Sequence, residues 1–455
     1  MSSGKEQPLS DDALAELMAR MHATPEVAAA VATPRPRTPE RQYSIAFEDH
    51  PLYQQMQFQR DFAAFAGLQN PYYRQHDVKA GAHSVIEGRP VTNFASYDYL
   101  ALNGHPEITD AVAKAARDLG TSVSASRISA GERGIHRDLE RAIARNYDAQ
   151  DCIAFVSGHA AAVSTLATLV GPKDLIVHDA LIHNCVVVGA QLAGSARRLF
   201  PHNDLDALET LLAADRHRFE RVMIISEGLF SMDGDGPDLK RLIAIKQRFS
   251  AWLMIDDAHG LGVLGARGRG IFEHQAIEPG DVDLWLGTLS KTLVSCGGYV
   301  AGSIPAIDLL KHHAPGFVYS VGMPATCAVA SLHALDLMER EPERVANLQR
   351  QSLRFHAGAA DAGLDTGQSW GFGIVPIIIG DTVATLRLAE RLLQRGVNAF
   401  PILPPGVPEK AARLRFFINT NHTDEEIDQA IGAVAQEFAG LGNISLKSVL
   451  AAPTQ

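Results

Sequence analysis

An α/β sheet with crossover helices, followed by a compact α+β unit, is the fold this sequence predicts. Three observations carry the prediction. Between 151 and 302 short apolar runs alternate with helical patterns, the sequence form of strands joined by crossover helices. Polar residues gather just after those apolar runs, where open α/β sheets place their ligand crevice. Beyond Glu339 the alternation gives way to a shorter mixture of helices and strands.

In chain order, Leu14, Leu17, Met18 and Met21 recur at helical spacing, and three prolines between Thr33 and Arg41 then stop the helix. A short amphipathic helix on a stiff linker is expected, with the body starting near Phe47. The central strands are expected at Cys152–Val156, Leu175–His178, Arg221–Ile225, Trp252–Ile255, Leu284–Leu286 and Tyr299–Gly302. A helical stretch over Arg344–Ala359 leads to a strand at Gly373–Ile379, a helix at Ala384–Arg395 and a strand at Leu414–Ile418. A last helix, Glu425–Phe438, opens on Thr423 with Glu426 three residues on, a capping-box spacing. The expected organisation is an extension over 1–45, a large domain over 46–335, a small domain over 336–440 and a tail over 441–455.

Composition narrows the function. The 455 residues are 46% hydrophobic and 20% charged, enough to bury a core and too apolar for a disordered chain. The formal charge of −11 repels phosphate backbones and anionic lipid, so nucleic acid is not an expected partner. No apolar run approaches the roughly 20 residues that span a bilayer. Cys152, Cys185, Cys296 and Cys327 show neither CxxC pairs nor metal-ligand spacing, which fits a reducing cytoplasm and no metal site.

Five groups of residues can carry chemistry. Lys291, in Gly287-Thr288-Leu289-Ser290-Lys291, follows an apolar strand and precedes small residues; partial desolvation there lowers a lysine pKa and suits it to forming a Schiff base with an aldehyde. Met254-Ile255-Asp256-Asp257-Ala258-His259 ends a strand in two acids and a histidine. Such a set could bind a metal, hold a helix N-terminus or charge a heteroaromatic nitrogen. Ser157-Gly158-His159 opens a helix and aims free N–H groups at an anion such as phosphate. His178-Asp179 and His183-Asn184 flank another strand end. Arg413 and Arg415 alternate around Leu414 on one strand, either as a carboxylate clamp or as a surface charge pair.

Read together, Ser157-Gly158, the run His202 to Glu209, SEGLFSMDGD (226–235), MIDDAHGLGVLGARGRG (254–270) and GTLSK (287–291) resemble the α-oxoamine synthase family of pyridoxal-phosphate enzymes. The resemblance spans about 70–440 and includes relatives such as serine palmitoyltransferase and 8-amino-7-oxononanoate synthase. It implies fold-type I, the aspartate-aminotransferase-like architecture, with a mostly parallel central sheet, a small C-terminal α+β domain and homodimers that share active sites. By the same resemblance Lys291 is the Schiff-base lysine and later the base at Cα, Asp256 pairs with the pyridine nitrogen, and His183 stacks on the ring. His259 and Ser231 address the ring's 3′-oxygen. Ser157, Gly158, His159, Thr288, Ser290 and the partner-facing Ser320 hold phosphate. Arg415, with Tyr97 and Ser126 near it, receives the amino acid.

The implied reaction is a decarboxylative condensation of glycine, alanine or serine with an acyl thioester, on coenzyme A or an acyl carrier protein. Its products are an α-amino ketone, carbon dioxide and free thiol. The chain departs from the family at Tyr97, closer to the serine palmitoyltransferase form, and at His159, Ala162 and Val321; these changes bear on substrate choice. Another fold-type I enzyme such as an aminotransferase, or a non-catalytic partner subunit or carrier-docking module, are the alternative readings.

Overall fold

The computed structural model describes residues 45–441; the expected N-terminal helix, proline linker and C-terminal tail lie outside the described residues. A helix over Pro51–Phe65 precedes a hairpin, β1 (His83–Ile86) and β2 (Arg89–Asn93). Its turn residues Glu87 and Gly88 both take positive φ, 52° and 74°, the twist that a two-residue hairpin needs. The large sheet follows, with β3 (Asp151–Phe155), β4 (Leu175–Asp179), β5 (Ala196–Phe200), β6 (Val222–Glu227), β7 (Trp252–Asp256), β8 (Leu284–Thr288) and β9 (Gly298–Gly302). Its order is β3-β9-β8-β7-β6-β4-β5. Strands β5, β4, β6, β7 and β8 run parallel, and β9 lies antiparallel between β8 and β3.

The strand sequences explain their place. All six residues of β6, Val-Met-Ile-Ile-Ser-Glu, are buried, as expected of a parallel strand covered on both faces. Val222 and Ile224 feed one core while Met223 and Ile225 feed the other, so one strand serves two layers of helices. Each fully buried side chain of this size contributes about 1.5–3 kcal/mol. Beyond it, β10 (Ile374–Gly380), β12 (Phe400–Ile402) and β13 (Ala412–Phe417) form a three-stranded antiparallel sheet, ordered β10-β13-β12. The short β11 (Val397–Asn398) instead joins the hairpin, parallel to β2. The capping box is formed: Glu426 N–H donates to Thr423 Oγ1 at 3.2 Å and Thr423 N–H to Glu426 Oε2 at 2.9 Å.

Several elements were not expected from the sequence, among them β5 and the β1–β2 hairpin. Strand β5 reads Ala-Arg-Arg-Leu-Phe and is exposed along most of its length; edge strands are polar and charged because one side faces water. The β1–β2 hairpin carries Pro90, which argues against a strand interior but is tolerated at its start.

Candidate active site

The carboxyl ends of β6, β7 and β8 and the start of the helix Gly158–Leu169 close on a pocket of about 160 Å³. Eight of the residues singled out in the sequence line it: Gly158, His159, His183, Ser231, Asp256, His259, Thr288 and Lys291. The helix that brings Gly158 and His159 is capped by Ser157, whose Oγ accepts the Ala160 N–H at 3.0 Å. Gly158 packs so closely on Gly298 of β9 that a Cβ on the latter would overlap its backbone. That approach brings the first-turn N–H groups, which a helix leaves without internal partners, beside Thr288.

Burial sets the electrostatics. Asp256 accepts the Ala258 N–H at 3.1 Å; burial pushes its carboxyl pKa up, against the pull of Lys291. Burial lowers the Lys291 ammonium pKa, while Asp256 and Glu227 oppose the shift. His259 falls well below the usual histidine range through burial, reinforced by Lys291 and Arg415. Its Nδ1 meets the Tyr99 hydroxyl at 2.7 Å, and its ring stacks parallel on Phe417. His183 caps the helix Asn184–Ala193, and desolvation lowers its pKa too.

Arg415 and Tyr97 stand beside this pocket without lining it. Arg413 and Arg415 are both buried, 5% and 7% exposed, which removes the reading of a surface charge pair. Arg413 bonds Asp233 Oδ1 at 2.6 Å and the Met232 carbonyl at 3.0 Å. Arg415 donates to the Ser231 carbonyl at 3.0 Å, yet its buried Nε finds no partner. A guanidinium kept charged and partly unsatisfied fits an incoming carboxylate. The Tyr97 ring centre lies 5.9 Å from Lys291 Nζ.

Three expected residues lie elsewhere. Ser290 is exposed; its N–H donates to Thr288 Oγ1, and its hydroxyl lies against the Gly297 backbone. Ser126 and Ser320 line a separate, shallow cleft with Ser124, Ala125, Val318, Tyr319 and Val321. Arg127, next to Ser126, anchors that wall through Glu132 and the wholly buried Glu140.

Two ionisable pocket residues were not singled out as site residues. Glu227, at the end of β6, accepts the His183 N–H at 2.7 Å; burial, then the charge of Asp256, push its pKa well up. Cys185 lies with its sulfur 3.0 Å from His183 Nδ1. A strand-end acid was visible in the sequence, whereas a cysteine inside a helix offered no signal. Asp257, next to Asp256, points away from the pocket toward Tyr147, and the Ile271 N–H also bonds it. That contact at the start of a short helix matches the helix-end reading of this acid.

The donor set fits pyridoxal phosphate: an amine at Lys291, a carboxylate at Asp256, a flat ring at His183, and helix N–H groups with a hydroxyl at Thr288. The family model for aminotransferase class I and II matches residues 89–434. The chain is 39% identical over 384 residues to 8-amino-7-oxononanoate synthase of Methylobacterium sp. strain 4-46, covering 84% of this chain and 96% of that one. It is 38% identical over 368 residues to the same-named enzyme of Geobacter metallireducens, covering 80% and 93%. Among solved structures, a Sphingomonas wittichii serine palmitoyltransferase superposes with a TM-score of 0.83 at 25% identity, covering 88% of this chain and 100% of that one.

Proposed function

The chain belongs to the aminotransferase class I and II family and, within it, to the α-oxoamine synthases, and on that premise we propose how its pocket works. It is a pyridoxal-phosphate-dependent C-acyltransferase. A small amino acid and an acyl thioester give an α-amino ketone, carbon dioxide and a free thiol: the Cα–carboxyl and carbonyl–sulfur bonds break, and a Cα–carbonyl carbon bond forms. Glycine, alanine or serine fills the amino-acid role.

Pyridoxal phosphate, when bound, supplies an aldehyde for the amino nitrogen and a protonated ring that takes up the electron pair released at Cα. Lys291 Nζ would hold the aldehyde in the resting enzyme and afterwards accept the Cα proton; burial lowers its pKa and so favours the uncharged amine that can take up a proton. Asp256 sustains positive charge on the ring nitrogen. His183 covers a ring face, and His259 and Ser231 meet the 3′-oxygen. Gly158, His159 and Thr288 take the phosphate, with Ser157 ordering the helix that carries the first two. Arg415 takes the substrate carboxylate on its unpartnered side, beside Tyr97.

The reading extends to a cytoplasmic homodimer in which Ser126 and Ser320 face the other subunit's site, with Ser290 supporting the phosphate wall. It divides the chain into a cofactor-binding part over 46–335 and a smaller part over 336–440. An acyl carrier protein or coenzyme A carries the acyl group. Among the described residues no helix is long and apolar enough to cross a membrane.

The observation that carries this function is the convergence of Lys291, Asp256 and His183 on one pocket, in a chain so similar to a named condensing enzyme over most of both lengths. Its test is a matrix of glycine, alanine and serine against acyl thioesters of graded chain length. Thiol and carbon dioxide release that require both substrates support it; amino-group transfer without thiol release overturns it.

A further inference from the structure

His183 Nδ1 accepts the backbone N–H of Cys185 at 3.3 Å. A backbone N–H can only donate, so Nδ1 carries a lone pair. The Cys185 sulfur lies 3.0 Å from the same nitrogen, and its S–H therefore points at it. Both donors belong to one buried residue, 3% exposed. A neutral imidazole whose Nδ1 accepts must carry its proton on Nε2.

The backbone of the same residue is fixed from the other side. The His183 N–H donates to Glu227 Oε1 at 2.7 Å, and Glu227 also accepts the backbone N–H of Ser231. One carboxyl thus ties together two walls of the pocket. The charged or titratable groups that act on His183 are Asp256, Lys291 and His159. Desolvation outweighs the attraction of Asp256 and, with Lys291 and His159, favours the neutral ring. The N-terminus of the helix it caps pushes the same way.

We propose that Cys185 and Glu227 are positioning residues that hold His183 as a neutral imidazole with its proton on Nε2, so that it meets the substrate only as a hydrogen-bond donor. The ring then presents N–H to an anionic or carbonyl oxygen and takes no proton during turnover, which leaves proton removal to Lys291. The inference rests on the proposed function only for what the ring meets; the tautomer belongs to the protein alone.

The test labels the full-length protein with 15N-histidine, assigns the His183 ring by comparison with His183→Gln, and reads the tautomer from two-bond 1H–15N correlations over about pH 6 to 8. The Nε2–H pattern of a neutral ring is expected, with or without pyridoxal phosphate. Cys185→Ser keeps a donor and the pattern. Cys185→Ala keeps the backbone N–H and so the Nε2–H pattern, but it loses the thiol contact and binds pyridoxal phosphate about fivefold more weakly, the worth of one net hydrogen bond. Glu227→Gln keeps a carbonyl acceptor and binds within about twofold of the unmodified protein, whereas Glu227→Leu loses about tenfold or more. An imidazolium or Nδ1–H ring in the unmodified protein overturns the proposal. So does an unchanged affinity in Cys185→Ala, or a loss in Glu227→Gln as large as in Glu227→Leu. Should Glu227→Leu fail to fold, Glu227→Gln alone decides the role of the carboxyl. If the unmodified protein binds no pyridoxal phosphate, the cofactor reading fails while the tautomer result stands.

Discussion

Two histidine–carboxylate clusters sit at neighbouring strand ends of the large sheet and behave in opposite ways. In one, His202 bonds Asp179 through Nδ1 and Asp235 through Nε2, both at 2.9 Å, and the two carboxylates raise its pKa to about 10 despite burial. In the pocket, His183 and His259 stand among Lys291, Asp256 and Arg415, and their pKa values are depressed. The residue types are alike; what differs is whether both ring nitrogens meet carboxylates. A ring closed on both sides by acids is a charged fastener, whereas a ring left beside a cavity stays neutral and free to act.

Breaking each cluster separates the two roles. Lys291→Ala removes the proposed nucleophile and base and is expected to cut thiol release by at least ~10³-fold. Because burial disfavours the Lys291 charge, its unfolding free energy should hold or rise slightly, as urea titration will show. His202→Ala strands two buried carboxylates and should lower stability by about 3–5 kcal/mol. In the unmodified protein the His202 contribution is fully present below its unfolded pKa of roughly 6.5 and declines as pH rises toward about 10. Urea midpoints measured at the two ends of that window should therefore fall with pH, and the His202→Ala variant should lose this slope.

Arg415→Lys keeps charge but not the fork. Its expected effect is a KM for the amino acid about 10- to 100-fold higher, with a smaller change in kcat, read from steady-state kinetics. Tyr99→Phe is the mildest break. It deletes the hydroxyl that meets His259 Nδ1 and should weaken cofactor binding about fivefold, equal to ~1 kcal/mol, in a fluorescence titration. An unchanged affinity there would mean that the ring contacts of His259 with Phe417, Tyr97 and residue 99 fix it without the hydroxyl.

The same contrast marks what could be read beforehand. The six central strands were legible because a mostly parallel sheet buried on both faces writes continuous apolar runs, and the acids and the lysine at their ends were conspicuous against them. The edge strand β5 and the hairpin were not, since their residues answer to water and to a turn instead of to a core. Arginines 413 and 415 could be placed on a strand but not sorted between clamp and surface, because burial depends on what packs above the strand. Glu227 was visible as a strand-end acid without a task. Its bond to His183 spans 44 positions in the chain, and no local pattern encodes such a meeting.

The segment 228–236 has no helix or strand, yet it is stitched on every side. Gly228 N–H donates to the Asp256 carbonyl, Gly234 N–H to the Phe230 carbonyl, and Trp370 N–H to the Gly234 carbonyl. Arg413 and Arg415 grip Met232, Asp233 and Ser231 from β13, and His202 and Asn203 hold Asp235. Protection from hydrogen exchange follows bonding and burial, not the name of the element. The amides of Gly228, Phe230 and Gly234 should thus exchange on the timescale of global opening, like a strand's. Proteases that nick ordinary loops should find no purchase there while the rest of the molecule is folded.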